Sequence, residues 1–269
     1  MIVAGGMADV PGLDPTPMMQ ADIPSMRQLA GDGYFTTYRP VEEDFETTPE
    51  SALLSLMGYD LHKGIPKIEE LASIGVGRGP LYPEDGNINP IIIPSFSGHG
   101  TLISPSPAAL GIGLISQLNA MPIILTNHKQ MAKEIVDAAL TRIKQDEFVM
   151  IYVHWPAEAA LKGDEEGKKA AIELIDHDII GPLADYTWNA REIMNLAVTS
   201  GFATSWDQQR VIPDEVPVIV YFNDSNNQTA IPISFNELDA LRGTFSLPKP
   251  RSLMRYLAMS DITSNSNPF

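Results

Sequence analysis

Phe148-Val149-Met150-Ile151-Tyr152-Val153, closing on His154, places six apolar or aromatic residues in a row with no polar alternation. A strand with two apolar faces belongs in the middle of a sheet covered by helices on both sides, as in parallel α/β sheets. Working outward, Ile2-Val3-Ala4 reads as a second buried strand running into a turn at Gly5-Gly6. Tyr34 to Arg39, Ile91 to Pro94, Ile123 to Thr126, Leu196 to Thr199 and Val216 to Phe222 read as further strands. Between them lie segments of helical period. Pro24-Ser25 opens one with Met26 and Leu29 on its core face, ending near Gly33, a glycine suited to the left-handed residue after a helix. Lys129 to Lys144 carries Met131, Ile135, Ala139 and Ile143 on one stripe. Gly163 to Asp185 carries Ile172, Ile175 and Ile179, with Asp164, Glu165 and Glu166 near the positive end of its dipole. Alternating strands and helices predict an α/β fold: a doubly wound, mostly parallel sheet with helices on both faces.

The 269 residues, 44% hydrophobic and 19% charged, suffice for one large domain, read as residues 1–260, followed by a Ser- and Asn-rich flexible tail, 261–269. No internal repeat or long linker interrupts it. Pro and Gly cluster between Gly75 and Gly113, and Ser95 to Thr101 reads as a loop. A formal charge of −16 argues against nucleic acid and anionic membranes as partners, while leaving room for a local basic pocket that takes a small anion. No stretch approaches the roughly 20 apolar residues of a membrane-spanning helix, and Met1 to Val10 lacks a basic flank before an apolar core, so a cytoplasmic location is the expectation. The absence of cysteine excludes disulfides, thiolate metal sites and a cysteine nucleophile.

Motifs that carry chemistry are sparse. The chain has no Gly-x-x-x-x-Gly-Lys loop, no His-Glu-x-x-His helix and no Gly-x-Ser-x-Gly elbow. The histidines at 62, 99, 128, 154 and 177 are scattered without metal-ligand spacing. His154 stands out because the carboxyl ends of parallel strands line ligand crevices; its bland alternative is a structural histidine. Arg78, between Gly77 and Gly79, could pair with a phosphate or carboxylate, or simply face water. Lys129, after Thr126-Asn127, sits where helix amides and an ammonium could hold an anion, or where a lysine faces solvent. Asp9, Asp14 and Glu50 read as solvated surface carboxylates.

Taken in order, Gly5-Gly6-Met7-Ala8-Asp9-Val10-Pro11, Ile23 to Gly33, Ser55 to Asp60, Gly77-Arg78-Gly79-Pro80, Thr126-Asn127-His128-Lys129, Phe148 to His154, Gly163-Asp164 with Glu166-Gly167-Lys168, and Ile180-Gly181-Pro182-Leu183 resemble the archaeal-type cofactor-independent phosphoglycerate mutases of the alkaline phosphatase superfamily. The resemblance covers nearly the whole chain, except that only a short connection between about Pro80 and Pro94 stands where the family carries an inserted lid domain. It implies an alkaline-phosphatase-like core and phosphoryl transfer through a serine activated by two divalent metals, which clamp the attacking and leaving oxygens.

Carried over position by position, the family's ligands and nucleophile fall on Gly5, Pro49, Ala157, Leu161, Gly201, Phe202 and Val211, none of which offers a side-chain ligand. A shift of one or two places would put Thr48 or Ser51 at the nucleophile but would restore no aspartate or histidine. The resemblance therefore implies a pseudoenzyme without metal or other cofactor, acting as a binding or assembly subunit with a protein partner, a second copy of itself or a small anionic ligand. Arg78, Lys129, Ser51 and His154 are the candidate ligand-contacting residues. The alternative is an active, divergent mutase or phosphatase. Leu161, Phe202 and Val211 are expected to be buried where ions would sit, with Gly5, Pro49, Ala157, Leu161, Gly201 and Phe202 converging at the strand ends.

Overall fold

The computed structural model describes residues 1–10, 15–78, 99–223, 235–243 and 252–257. In chain order the strands are β1 (Ile2–Ala4), β2 (Tyr34–Tyr38), β3 (Gly100–Ser104), β4 (Asn119–Pro122), β5 (Phe148–Val153), β6 (Asn195–Thr199), β7 (Ala203–Ser205), β8 (Arg210–Ile212) and β9 (Val216–Phe222). The helices are α1 (Pro17–Gln20), α2 (Pro24–Asp32), α3 (Pro49–Leu56), α4 (Ile68–Gly75), α5 (Pro107–Ile115) and α6 (His128–Arg142). They continue with α7 (Trp155–Ala160), α8 (Glu165–Ile175), α9 (Gly181–Asn189), α10 (Glu237–Ala240) and α11 (Ser252–Leu257). Among the described residues seven strands form one sheet in the order β2-β9-β6-β1-β5-β3-β4; β7 and β8 make a separate ribbon. β1, β3, β4, β5 and β6 run parallel to one another, with Ile2 opposite Ile151 and Val198. β9 is antiparallel to both β2 and β6.

The double-sided apolarity of β1 and β5 has its cause in two cores. Ile2, Ala4, Ile151 and Val153 face a layer containing Met26, Leu29, Ile135, Ile172, Ile175 and Ile179. Val3, Met150 and Tyr152 face the opposite layer, with Leu53, Leu54, Leu71 and Ile112. Among the described residues the fold is thus α/β, mostly parallel and covered on both sides, and its helix ends are set by side chains. Asn127 caps α6 by accepting from the Gln130 amide, and Asp164 caps α8 by accepting from the Gly167 amide. α2 has no cap of its own; the Asp176 carboxylate, from a π-helical turn between α8 and α9, accepts from the Ser25 and Met26 amides.

Several local expectations are corrected. Ile123 to Thr126 is not a strand: pairing with β3 ends at Ser104 opposite Pro122, and Ile124 is 86% exposed. The strand is β4, Asn119–Pro122, whose residues pair with Thr101 to Ser104 just before that apolar run. Gly100 and Thr101, read as loop, begin β3, where a Cβ on Gly100 would come within 2.6 Å of a Leu118 methyl. Glycine disguised the strand while permitting its close packing. Gly33 is extended, not left-handed; a Cβ there would meet the Leu29 and Val220 carbonyl oxygens at 2.8 Å, so the glycine serves the approach of α2 to β9. The expected strand Ile91 to Pro94, Asp14, Gly79-Pro80, the shortened lid connection and the tail 261–269 lie outside the described residues. No helix among the described residues is long and apolar enough to cross a membrane.

Candidate functional site

The carboxyl ends of β1, β5 and β6 open onto one small region. β1 turns at Gly5-Gly6, whose amides donate to the Val153 and Phe202 carbonyls. Phe202 is fully buried. A Cβ on Gly5 would stand 2.8 Å from the Phe202 ring and 3.2 Å from the His154 Cβ. Gly6 is left-handed, with φ +76°, and a Cβ on it would meet the Ala157 Cβ at 2.5 Å. Gly5, Ala157 and Phe202 therefore converge with His154. Gly201 precedes Phe202 with φ +70°, where a Cβ would meet a Val3 methyl at 2.6 Å. Pro49 opens α3, and its neighbour Glu50 reaches the group electrostatically, acting on both His154 and Tyr152.

Two of the expected burials fail. Leu161, at the carboxyl end of the six-residue α7, is 45% exposed because Ala160 takes the last inward position of that helix. Val211, on β8, is only partly buried and packs against the rim of the core. Three of the four candidate ligand contacts lie apart from the crevice cluster. Ser51 is fully buried and closes a capping box with Thr48, its hydroxyl donating to the Glu46 carbonyl at 2.8 Å. Arg78 follows α4 with an exposed side chain, its amide donating to the Ser73 carbonyl. Lys129 is exposed and lines a groove of about 420 Å³ with Lys133, Val136, His177 and Pro182.

His154, by contrast, anchors a cluster. Its Nε2 lies 3.2 Å from Glu158 Oε1, and His128 Nε2 lies 4.0 Å from the other oxygen of that carboxylate. The His128 ring stacks on Trp155 with centroids 4.6 Å apart, and the His154 ring stacks on Tyr152. Burial lowers the basicity of His154, with Glu158 and Glu50 opposing the shift. Burial also raises the Tyr152 pKa, and the same two carboxylates add to it. His154 Nδ1 is buried without a hydrogen-bond partner. The sequence reading missed His128 and Glu158; the four-residue spacing of His154 and Glu158 at a helix start was the available signal.

A second cluster corrects the reading of Asp9 as a surface group. Asp9 and Lys168 are both fully buried, 2.7 Å apart, and the Lys168 ammonium also donates to the Ala8 and Thr204 carbonyls. Glu237 of α10 accepts from the Asp9 amide and the Thr16 hydroxyl. Burial lowers the Lys168 pKa and raises that of Glu237. With every polar contact internal, this cluster fastens α8 and α10 to the turn after β1.

Of the positions to which the resemblance carries the family's metal ligands, Gly5, Ala157 and Phe202 lie together at the strand ends, and none of the three offers a side-chain donor. Among the described residues no group of three or more His, Asp or Glu side chains has the geometry to hold a metal ion.

No protein-family profile matches the chain. Its curated homologues are archaeal 2,3-bisphosphoglycerate-independent phosphoglycerate mutases. The chain is 25% identical to that of Methanosarcina mazei over 167 residues, 60% of this chain and 41% of the relative. It is 28% identical to that of Saccharolobus islandicus over 58% of this chain and 38% of the relative. A mutase of Methanothermobacter thermautotrophicus is 44% identical over 86 residues, 29% of this chain and 21% of the relative. The match thus spans about 40% of the length of the longer-matching relatives. Among solved structures, the PH0037 protein of Pyrococcus horikoshii superposes with a TM-score of 0.81 at 14% identity, covering 95% of this chain and 94% of that one. The cofactor-independent phosphoglycerate mutase of Thermoplasma acidophilum gives 0.62 at 15% identity, covering 95% and 97%. The alkaline phosphatase of the Antarctic bacterium TAB5 gives 0.50 at 11%, covering 82% and 89%.

Proposed function

We propose that this homologue of archaeal phosphoglycerate mutases, with the fold of the alkaline phosphatase superfamily, is a pseudoenzyme: a core kept for binding or assembly after loss of two-metal phosphoryl transfer. The observation that carries the reading is the contact between Phe202 and Gly5. A ring that would stand 2.8 Å from a Cβ at position 5 takes the space that a ligating carboxylate there would need. Two-metal chemistry depends on the ions themselves, to activate the nucleophile and to neutralise the leaving oxygen, so a chain without their ligands loses both effects at once. The neighbouring serine does not restore the nucleophile, because the Ser51 hydroxyl is sealed in a cap and committed to the Glu46 carbonyl.

In this reading the chain serves a protein partner or a second copy of itself, with the cytoplasm as its proposed location, and the strand-end crevice is its candidate contact region. The competing reading, a divergent phosphatase or mutase, draws on the His154–Glu158 pair, whose imidazole and carboxylate lie 3.2 Å apart at that crevice. Assays of 3-phosphoglycerate isomerisation and of p-nitrophenyl phosphate hydrolysis, with manganese, zinc or magnesium supplied, separate the two. The pseudoenzyme reading expects turnover at the buffer background. Metal-dependent turnover that is lost in Ser51→Ala overturns it.

A further inference from the structure

The contact between Lys168 and Asp9 brings a primary amine and a carboxyl group together where water is excluded. Both side chains are fully buried, and Nζ lies 2.7 Å from Oδ2, so the carboxyl carbon is no farther from Nζ than about 3.9 Å. Each partner is held from several sides. Nζ also donates to the Thr204 carbonyl of β7 at 2.6 Å and to the Ala8 carbonyl at 3.1 Å. The Asp9 amide donates to Glu237 Oε1 at 2.9 Å, the Val10 amide donates to Asp9 Oδ1 at 2.9 Å, and the Trp206 amide reaches Oδ2 at 3.4 Å.

We propose that Lys168 and Asp9 condense, without another enzyme, into an intramolecular isopeptide bond that ties α8 to the turn after β1. The ion pair holds every atom the reaction uses. Nζ passes one proton to Oδ2 across their contact, leaving an amine beside a carboxylic acid, a neutral pair that a water-free interior favours over two charges. Burial lowers the Lys168 pKa in the same sense. The amine lone pair then forms the Nζ–Cγ bond, and the displaced electron pair moves onto Oδ1, where the Val10 amide stabilises it. A second proton moves from Nζ to Oδ2, the Cγ–Oδ2 bond breaks, and Oδ2 departs as water. No oxidant, reductant or activating group takes part. Holding the two groups in contact supplies an effective molarity of about 10⁵–10⁸ M, which offsets the reluctance of acids and amines to condense in dilute solution. The product suits the site. The Ala8 carbonyl also accepts from the Thr204 amide, so it keeps a donor when Nζ gives up its protons, and the one remaining Nζ–H serves the Thr204 carbonyl. Glu237 is a positioning residue: it fixes Asp9 through the backbone amide and faces Lys168 from α10. The bond requires nothing of the strand-end crevice and stands or falls independently of the pseudoenzyme reading.

Intact-mass spectrometry of the purified full chain, denatured after incubation in its folded state, tests it. The unsubstituted protein should weigh one water less than its sequence. Proteolysis should release the segments around Asp9 and Lys168 as one branched peptide, whose fragments place the link between those two side chains, and trypsin should no longer cut after Lys168. Lys168→Arg keeps a cation at the position but has no nucleophilic amine; it should carry its full sequence mass, with circular dichroism reporting whether it is folded. If that variant fails to fold, the mass and the peptide map of the unsubstituted protein decide alone. A full sequence mass there overturns the proposal. A water loss confined to the Asp9 peptide, with Lys168 recovered unlinked, overturns it as well, because it marks a succinimide closed by the Val10 amide.

Discussion

The segment Gly5 to Asp9 touches a charged cluster at each end, and the two are built oppositely. At Asp9, the carboxylate, the Lys168 ammonium and the Glu237 carboxylate are buried and spend their hydrogen bonds on one another, on backbone carbonyls and amides, and on the Thr16 hydroxyl. At Gly5, the His154, Glu158 and His128 side chains are between 31% and 42% exposed, one contact stretches to 4.0 Å, and His154 Nδ1 has no partner. A sealed, fully satisfied ionic group is what a fold keeps for geometry, since opening it strands a charge in a low-dielectric interior. A half-open and under-satisfied group retains freedom to move and to meet a ligand. The position in sequence does not separate the two; burial and satisfaction do.

The largest effect should come from breaking the sealed cluster. Lys168→Met removes the cation and leaves Asp9 buried beside Glu237 without compensation, so urea denaturation should show a loss of about 3–5 kcal/mol. A loss under 1 kcal/mol would mean that the group is not the anchor described here. Gly5→Ala sharpens the other side, since its methyl must displace Phe202 or His154 from contacts of 2.8 and 3.2 Å. Overpacking of this kind costs about 1–3 kcal/mol, and an unchanged stability would show that the strand-end packing is slack.

The smallest effect concerns pH. Burial lowers the pKa of His154, so the native state binds fewer protons than the unfolded chain between the lowered value and the ordinary one. His154 therefore contributes stability that is present above about pH 6.5 and lost as the pH falls through its native value. Replacing it with Gln should flatten the decline in denaturation midpoint over that interval, by under about 1 kcal/mol because the ring is partly solvated. A decline unaltered by the substitution would assign it to other groups.

Much of the architecture was legible because the central strands are apolar on both faces and the helices keep a single stripe. β1 and β9 match their expected bounds, and Met26, Leu29, Ile172, Ile175 and Ile179 are all buried. What failed were positions where a residue serves a contact that periodicity does not register. Gly100 concealed a strand by packing against Leu118, and the exposed Ile124 mimicked one. In the candidate site, His154 was legible from its place at the end of a buried strand. Glu158 and His128 were not, because they belong to it through tertiary placement of α6 and α7. Asp9 misled for the opposite reason: its partner Lys168 lies far along the chain, and an isolated carboxylate in an acidic sequence reads as solvated until that partner is seen.

In the pseudoenzyme reading the strand ends are unable to hold two cations. The most direct measurement is a crystal of the purified protein soaked in manganese, with anomalous difference density calculated around Gly5, Ala157 and Phe202. The account predicts no paired peaks there, with the Phe202 ring in place. Two anomalous peaks held by carboxylate or imidazole groups, with Phe202 swung aside, would contradict it.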